Sequence, residues 1–242
     1  MLFLKKIFHQ ILNIIYPNSC ICCDKFINLK GLFCLDCFKK LEFISSSNCK
    51  HCASPISIQT NFKEQSTCLK CLNYKNYFDF AYAIFVYNKT ISKPIINLKY
   101  NDQTYLAYQF AKLLRTNFHN LYQNSDYVIC VPLHRQKLLK RKFNQANLIA
   151  RNFAKEKYLA NALLRIANDS SQVFLSKKQR AKNLNNSFAI NPKVINKIFN
   201  KKILLIDDVM TTGSTLNSCC KVLKKYQVKE ISVAVIAKVI LN

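Results

Sequence analysis

Two glycines occur in the whole chain of 242 residues, and one of them, Gly213, lies in the run Ile203-Leu204-Leu205-Ile206-Asp207-Asp208-Val209-Met210-Thr211-Thr212-Gly213-Ser214-Thr215-Leu216. The ILLI stretch is short, apolar and β-branched at its ends, which predicts a strand buried on both faces of a parallel sheet. From Leu216 onward Cys219, Cys220, Val222, Leu223 and Tyr226 fall roughly three to four apart, with Lys221, Lys224 and Lys225 between them, the pattern of an amphipathic helix. A turn joining such a strand to such a helix leaves backbone N–H groups unpaired at the positive end of the helix dipole. That is a phosphate site. Gly213 permits a backbone conformation that a Cβ hinders, and Thr211, Thr212, Ser214 and Thr215 each add a hydroxyl donor. Asp207 and Asp208 fall at the carboxyl end of the strand, where open α/β sheets put their ligands. A simple helix cap by Ser214 or Thr215 accounts for one hydroxyl and leaves the two acids without a role.

This order of buried strand, two acids and T-T-G-x-T turn resembles the phosphoribosyl-pyrophosphate (PRPP) loop of type I phosphoribosyltransferases. The resemblance implies that Asp207 and Asp208 hold the ribose hydroxyls and that Thr211, Thr212, Gly213, Ser214 and Thr215 hold the 5′-phosphate. Other nucleotide signatures, G-x-G-x-x-G and G-x-x-x-x-G-K-[ST], cannot be written with two glycines.

A second strand-to-loop junction precedes this one, where Tyr127-Val128-Ile129-Cys130-Val131 runs into Pro132-Leu133-His134-Arg135. From Arg135 to Lys182 there are thirteen lysines and arginines against two acids, Glu156 and Asp169. Departure of pyrophosphate from a sugar is helped by cations placed where its charge develops, and Arg135, Arg141 and Lys142 are suitable. Several segments are similar to the ComF family of competence-associated phosphoribosyltransferase-like proteins. Pro132-Leu133-His134 matches its V-P-x-H segment, Phe143-Asn144-Gln145-Ala146 its R-G-F-N-Q-A segment, and Ser171-Gln172, Leu175-Ser176, Arg180 and Asn183 its S/T-x-x-Q…L-S-x-x-x-R-x-x-N stretch. Lys99, in Asn97-Leu98-Lys99-Tyr100, matches the family's L-K-[FY] lysine, although a solvated lysine at a helix end fits the same residues. His134 is open to a second reading as a surface histidine beside a turn. Lys142 departs from the family, which usually has glycine there. The resemblance implies PRPP binding with Mg²⁺ bridging pyrophosphate and sugar, Asp207, Asp208, Arg135 and Lys99 at the reacting centre, and Pro132, Leu133, His134 and Arg141 on the pyrophosphate side. It also implies a link to DNA uptake in natural competence, with DNA-translocation proteins as partners.

Eight of the twelve cysteines form four C-x-x-C pairs: Cys20/Cys23, Cys34/Cys37, Cys49/Cys52 and Cys68/Cys71. Each pair offers two thiolates from one knuckle, and two knuckles complete a tetrahedral zinc site with Zn–S near ~2.3 Å. Eight ligands suggest two Zn²⁺ ions. Sequential pairing is the natural arrangement, since ten residues separate the first two pairs and fifteen the second two; spacing alone leaves a crossed arrangement open. His51 and Cys22 are bystanders on this reading, and Cys130, Cys219 and Cys220 are small core residues. A disulfide framework needs an oxidising compartment, and nothing supports export, so a cytoplasmic protein is expected. Residues 1 to 16 carry Leu4, Ile7, Phe8, Ile11, Leu12 and Ile15 on one helical face, with Lys5 and Lys6 in the pattern. They read as a packing helix, and their lysines also suit weak contact with a membrane surface. No segment approaches the ~18 apolar residues of a spanning helix.

Thirty-seven basic residues against twelve acidic ones give a formal charge of +25, which favours anionic partners. Thirty-one of the thirty-seven are lysine, in a chain crowded with asparagine and isoleucine, so the local clustering around 135 to 182 carries more weight than the total. Single-stranded DNA held by the zinc ribbons and a basic face is the alternative function, with Phe62, Tyr74, Tyr77, Phe78 and Phe80 available to stack on bases or to form a small core. The expected architecture is α/β: a type I phosphoribosyltransferase-like parallel sheet flanked by helices, preceded by a small cysteine-rich zinc-ribbon domain. The boundary is placed between 1–76 and 77–242. Strands are expected near 81–87, 127–131, 203–206 and 231–236, and helices near 103–118, 145–157, 177–184 and 215–226.

Overall fold

The computed structural model describes residues 18–27, 31–44, 48–56, 67–74, 76–166 and 187–240. The expected helices over 1–16 and 177–184, the stretch Ser171 to Asn183 and Phe62 lie outside the described residues.

Four strands form one parallel sheet: β1 (Phe80–Val86), β2 (Tyr127–Cys130), β5 (Lys202–Met210) and β6 (Glu230–Lys238), in the spatial order β1-β6-β5-β2. Parallel neighbours need long crossovers. The helices that supply them are α3 (Lys89–Tyr100), α4 (Tyr105–Asn117), α5 (His119–Asn124), α6 (Arg135–Arg141), α7 (Gln145–Phe153), α8 (Ile195–Ile198) and α9 (Ser214–Lys225). Between α7 and α8 a short antiparallel pair, β3 (Leu163–Arg165) and β4 (Phe188–Ile190), stands apart from the main sheet. Two short helices, α1 (Leu35–Phe38) and α2 (Leu69–Asn73), belong to the cysteine-rich region.

The two-residue period of a strand divides the core between the faces of the sheet. Leu204 and Ile206, with Val128, Ala234 and Ile236, face Leu98 of α3, Phe110 and Leu114 of α4, and Ile149 and Phe153 of α7. Ile203 and Leu205, with Ile129, Val233 and Val235, face Leu216, Cys219, Cys220 and Leu223 of α9. Each large aliphatic side chain fully buried this way contributes about 1.5–3 kcal/mol. The cysteine-rich region splits between the same two cores: Cys20, Ile21, Cys22 and Leu41 join the first, Ala53 and Phe78 the second. Its chain also covers the exposed edge of β1, where the Ile44 N–H donates to Ile84 O at 2.9 Å, Val86 N–H to Glu42 O at 2.8 Å and Ala81 N–H to Lys50 O at 2.9 Å. An edge that could otherwise pair with another chain is thereby closed.

The strand carrying the two acids is longer than its apolar run. Pairing continues past Ile206, with Asp207 opposite Val235, Val209 opposite Ala237 and Met210 opposite Lys238. The aspartates therefore sit inside β5, held by the ladder of β6. Helix α3 forms although Pro94 lies inside it, started by Asn88, whose side chain accepts from the N–H groups of Thr90 and Ile91.

Candidate functional site

The end of β5, the turn after it, the end of α3 and the helix α6 supply the site. Asp208 is buried, and its Oδ1 pairs with Lys99 Nζ of α3 at 2.9 Å. Its other oxygen, Oδ2, is buried with no hydrogen-bond partner. An ionised carboxylate oxygen that has lost water and gained no donor is costly, so this atom is poised for a donor from outside the chain. Beside it, Asp207 Oδ1 accepts the Asp208 N–H at 2.9 Å. Burial, then the charge of Asp208, pushes Asp207 up to about 8, against the pull of Lys99 and Arg141.

The turn Thr211-Thr212-Gly213 opens directly into α9. Gly213 has φ +77°, while a Cβ built on it meets only Met210 Cγ and Sδ at an ordinary 3.9 Å. Its backbone conformation, not crowding, is what calls for glycine. Thr211, Thr212 and Ser214 are exposed and Thr215 is half-buried. Thr212 Oγ1 accepts the Ser214 N–H at 3.3 Å and donates to Ser214 Oγ at 3.0 Å, so the turn is preformed and open to solvent.

The basic helix α6 follows Pro132 and Leu133, both half-buried. His134 begins it, its Nδ1 accepting the Gln136 N–H at 3.2 Å; this is the capping role of a turn residue. Arg135 is exposed. Arg141, at the far end, donates from Nη2 to the Tyr100 hydroxyl at 2.6 Å and lies 4.6 Å from that ring's centroid. Lys142 Nζ pairs with Asp102 Oδ2 at 3.0 Å. Two contacts thus hold the end of α6 against the end of α3, next to Lys99. Lys142 has φ +65°, a left-handed position that explains why glycine suits it. Asn144 bridges the same region, donating to Val131 O at 2.9 Å and accepting the Ala146 and Asn147 N–H groups that open α7.

Lys99, Asp207, Asp208 and Arg141 are therefore brought together, and the 211–215 turn follows directly on their strand. His134 spends its Nδ1 on the helix cap. Tyr100, Asp102 and Asn144 are not among the site residues expected from the sequence; the signals for Tyr100 and Asn144 were their places in the L-K-[FY] and F-N-Q-A segments.

The eight C-x-x-C cysteines gather into two groups, Cys20/Cys23/Cys34/Cys37 and Cys49/Cys52/Cys68/Cys71, with all sulfurs of a group within 4.8 Å of one another. Sulfur separations of 3.6 Å for Cys23–Cys34 and 3.7 Å for Cys52–Cys68 match the roughly 3.8 Å that a tetrahedron with ~2.3 Å Zn–S bonds requires. All twelve cysteines are free thiols. The donors fit zinc, and the pairing is sequential. His51 uses its Nδ1 on the carbonyl of Asp79 at 2.9 Å, away from ligation. Cys219 and Cys220 are fully buried in the core.

These features define a phosphoribosyltransferase-type α/β domain joined to a double zinc ribbon. The double zinc ribbon domain family matches residues 11–72 and the phosphoribosyl transferase domain family residues 149–240. The chain is 30% identical to Competence protein F of Haemophilus influenzae over 88% of its own length and 94% of that protein. It is 23% identical to Competence protein ComFC of Bacillus subtilis, covering 86% and 90% of the two chains, and 26% identical to the DNA utilization protein YhgH of Escherichia coli O6:H1, covering 64% and 70%. The protein belongs to the ComF family. Among the described residues no helix is long and apolar enough to cross a membrane.

Proposed function

We propose that the protein binds PRPP, with Mg²⁺, and transfers or senses its phosphoribosyl group in the cytoplasm as part of DNA uptake and handling. The observation that carries this reading is the partnerless Asp208 Oδ2 beside an open, glycine-shaped turn. Asp207 and Asp208 accept the ribose hydroxyls, Asp208 being fixed by Lys99. The amides and hydroxyls of Thr211 to Thr215 hold the 5′-phosphate. Arg135 and Arg141 face the pyrophosphate and steady its charge as the bond to the sugar lengthens. Mg²⁺ arriving with PRPP supplies further neutralisation of the pyrophosphate. In this reading residues 1–76 form the zinc module and 77–242 the PRPP domain.

Calorimetric titration of PRPP with Mg²⁺ tests binding, and saturable heat is expected. No heat overturns the reading. Isotope-labelled PRPP incubated with a metabolite extract then separates transfer from sensing: pyrophosphate release means turnover, and intact PRPP means a sensor.

A second reading adds single-stranded DNA as a ligand. It is favoured by Tyr74 and Tyr77, which remain exposed beside the second cysteine group while Phe78 is buried, in a chain of formal charge +25. Exposed rings can stack on bases. Affinity for a single-stranded oligonucleotide should fall steeply with salt; a flat dependence counts against an electrostatic grip.

A further inference from the structure

Lys238, at the end of β6, is 6% exposed. Among the described residues no carboxylate pairs with it; its ammonium donates to Met210 Sδ at 3.4 Å, a weak acceptor. A buried ammonium so poorly served is costly unless another charge compensates it. Cys52 and Cys71 of the second cysteine group share a crevice with Lys238, as does Lys70; the sulfurs of Cys52, Cys71 and Cys68 act on Lys238 favourably, and Lys70 acts against it. Four thiolates around one Zn²⁺ carry a net charge of about −2, which is the missing counter-charge.

The same lysine adjoins the phosphate turn. Cys52, Cys71, Met210, Thr212, Gly213 and Lys238 line one crevice of about 50 Å³. Met210, which takes the Lys238 donor, also packs beneath Gly213, where an added Cβ would meet it at 3.9 Å. The first cysteine group contributes nothing to this crevice.

We propose that the second zinc–thiolate centre is the counter-ion of buried Lys238, and that Lys238, through Met210, transmits the occupancy of that centre to the 211–215 turn. Lys238 is a positioning residue. What the turn binds is the reading given above; the coupling concerns the order of the turn and is tested without ligand, so either can fail alone.

Zinc release to a chromogenic chelator provides the test. In Lys238→Met one of the two zinc equivalents should leave about tenfold faster, as for loss of an outer-shell partner, while the other leaves at the wild-type rate. Lys238→Arg should restore the slow release. Wild-type rates for both zincs in Lys238→Met, or equal acceleration of both, overturns the proposal. Should Lys238→Met not fold, amide hydrogen exchange on the wild-type protein during stepwise chelation gives the answer. Exchange at Met210 to Ser214 should rise together with exchange at Cys49 to Ile56, and not with exchange at Cys20 to Phe26. Unchanged protection of the turn after loss of the second zinc overturns it equally.

Discussion

The acids of β5 and the cations of α6 are treated differently by the chain. Asp208 is buried, clamped by Lys99 and held in a strand paired with β6. Arg135 is exposed, and Arg141 rests on a tyrosine that is itself 55% exposed. Buried charges cost desolvation but arrive preorganised; exposed ones cost little and are screened by salt. On the proposed reading, this difference divides the labour: the acids give shape and selectivity, and the cations give attraction.

The sharpest way to break that comparison is to strand the buried acid. Lys99→Met should destabilise the protein by about 3 kcal/mol or more, because Asp208 is left charged and unpaired. Lys99→Met combined with Asp208→Asn should recover most of the loss in urea unfolding. If the single variant is as stable as wild type, Asp208 is not under the electrostatic load ascribed to it. Removing an exposed cation should behave oppositely. Arg141→Met is expected to stay within about 0.5 kcal/mol of wild-type stability, yet to weaken PRPP binding about tenfold at low salt and less at high salt. Equal weakening at both would assign Arg141 a role other than attraction.

Protonation gives a third, smaller contrast. Folded Asp207 holds its proton up to about pH 8 against an ordinary value of 3.8, so the folded state binds more protons than the unfolded one across that window. Stability without ligand therefore falls as pH rises from about 4 to about 8. Asp207→Asn should flatten the slope and raise the melting temperature at pH 8 by about 2–4 °C. Parallel curves for the two proteins would remove the raised proton affinity ascribed to Asp207. The smallest effect is expected on the cation side. Lys142→Gly relieves a left-handed conformation and loses only the exposed pair with Asp102, so stability should rise by a few tenths of a kcal/mol or about that. A loss beyond about 1 kcal/mol would show that the clasp between α6 and α3 matters more than its exposure suggests.

The acid side was the more legible in the sequence for a physical reason. A short apolar run with β-branched ends before two acids and a glycine turn has few structural meanings, and β5, Gly213 and α9 follow it closely. Even there the strand ran on to Met210, because pairing with β6 outlasts the apolar pattern. Helix α6 was not legible. Seven mostly basic residues carry no apolar period, and its two ends are marked by a histidine cap and a lysine in a glycine-type conformation. Pro94 likewise hid α3, whose existence rests on the Asn88 cap and on burial of Ile91, Ile95 and Leu98. The salt bridge of Lys99 with Asp208 joins residues 109 positions apart, which no local pattern reveals. The two cysteine groups were foreseeable because knuckle spacing is set by coordination geometry rather than by the rest of the fold.

Calorimetry of PRPP binding to Asp207→Asn/Asp208→Asn, a variant that keeps the shape of both side chains and removes both carboxyl groups, addresses the central claim directly. Loss of measurable PRPP binding, with zinc content and folding intact, is the result expected if these carboxylates grip the sugar. Wild-type affinity in the double variant would contradict it.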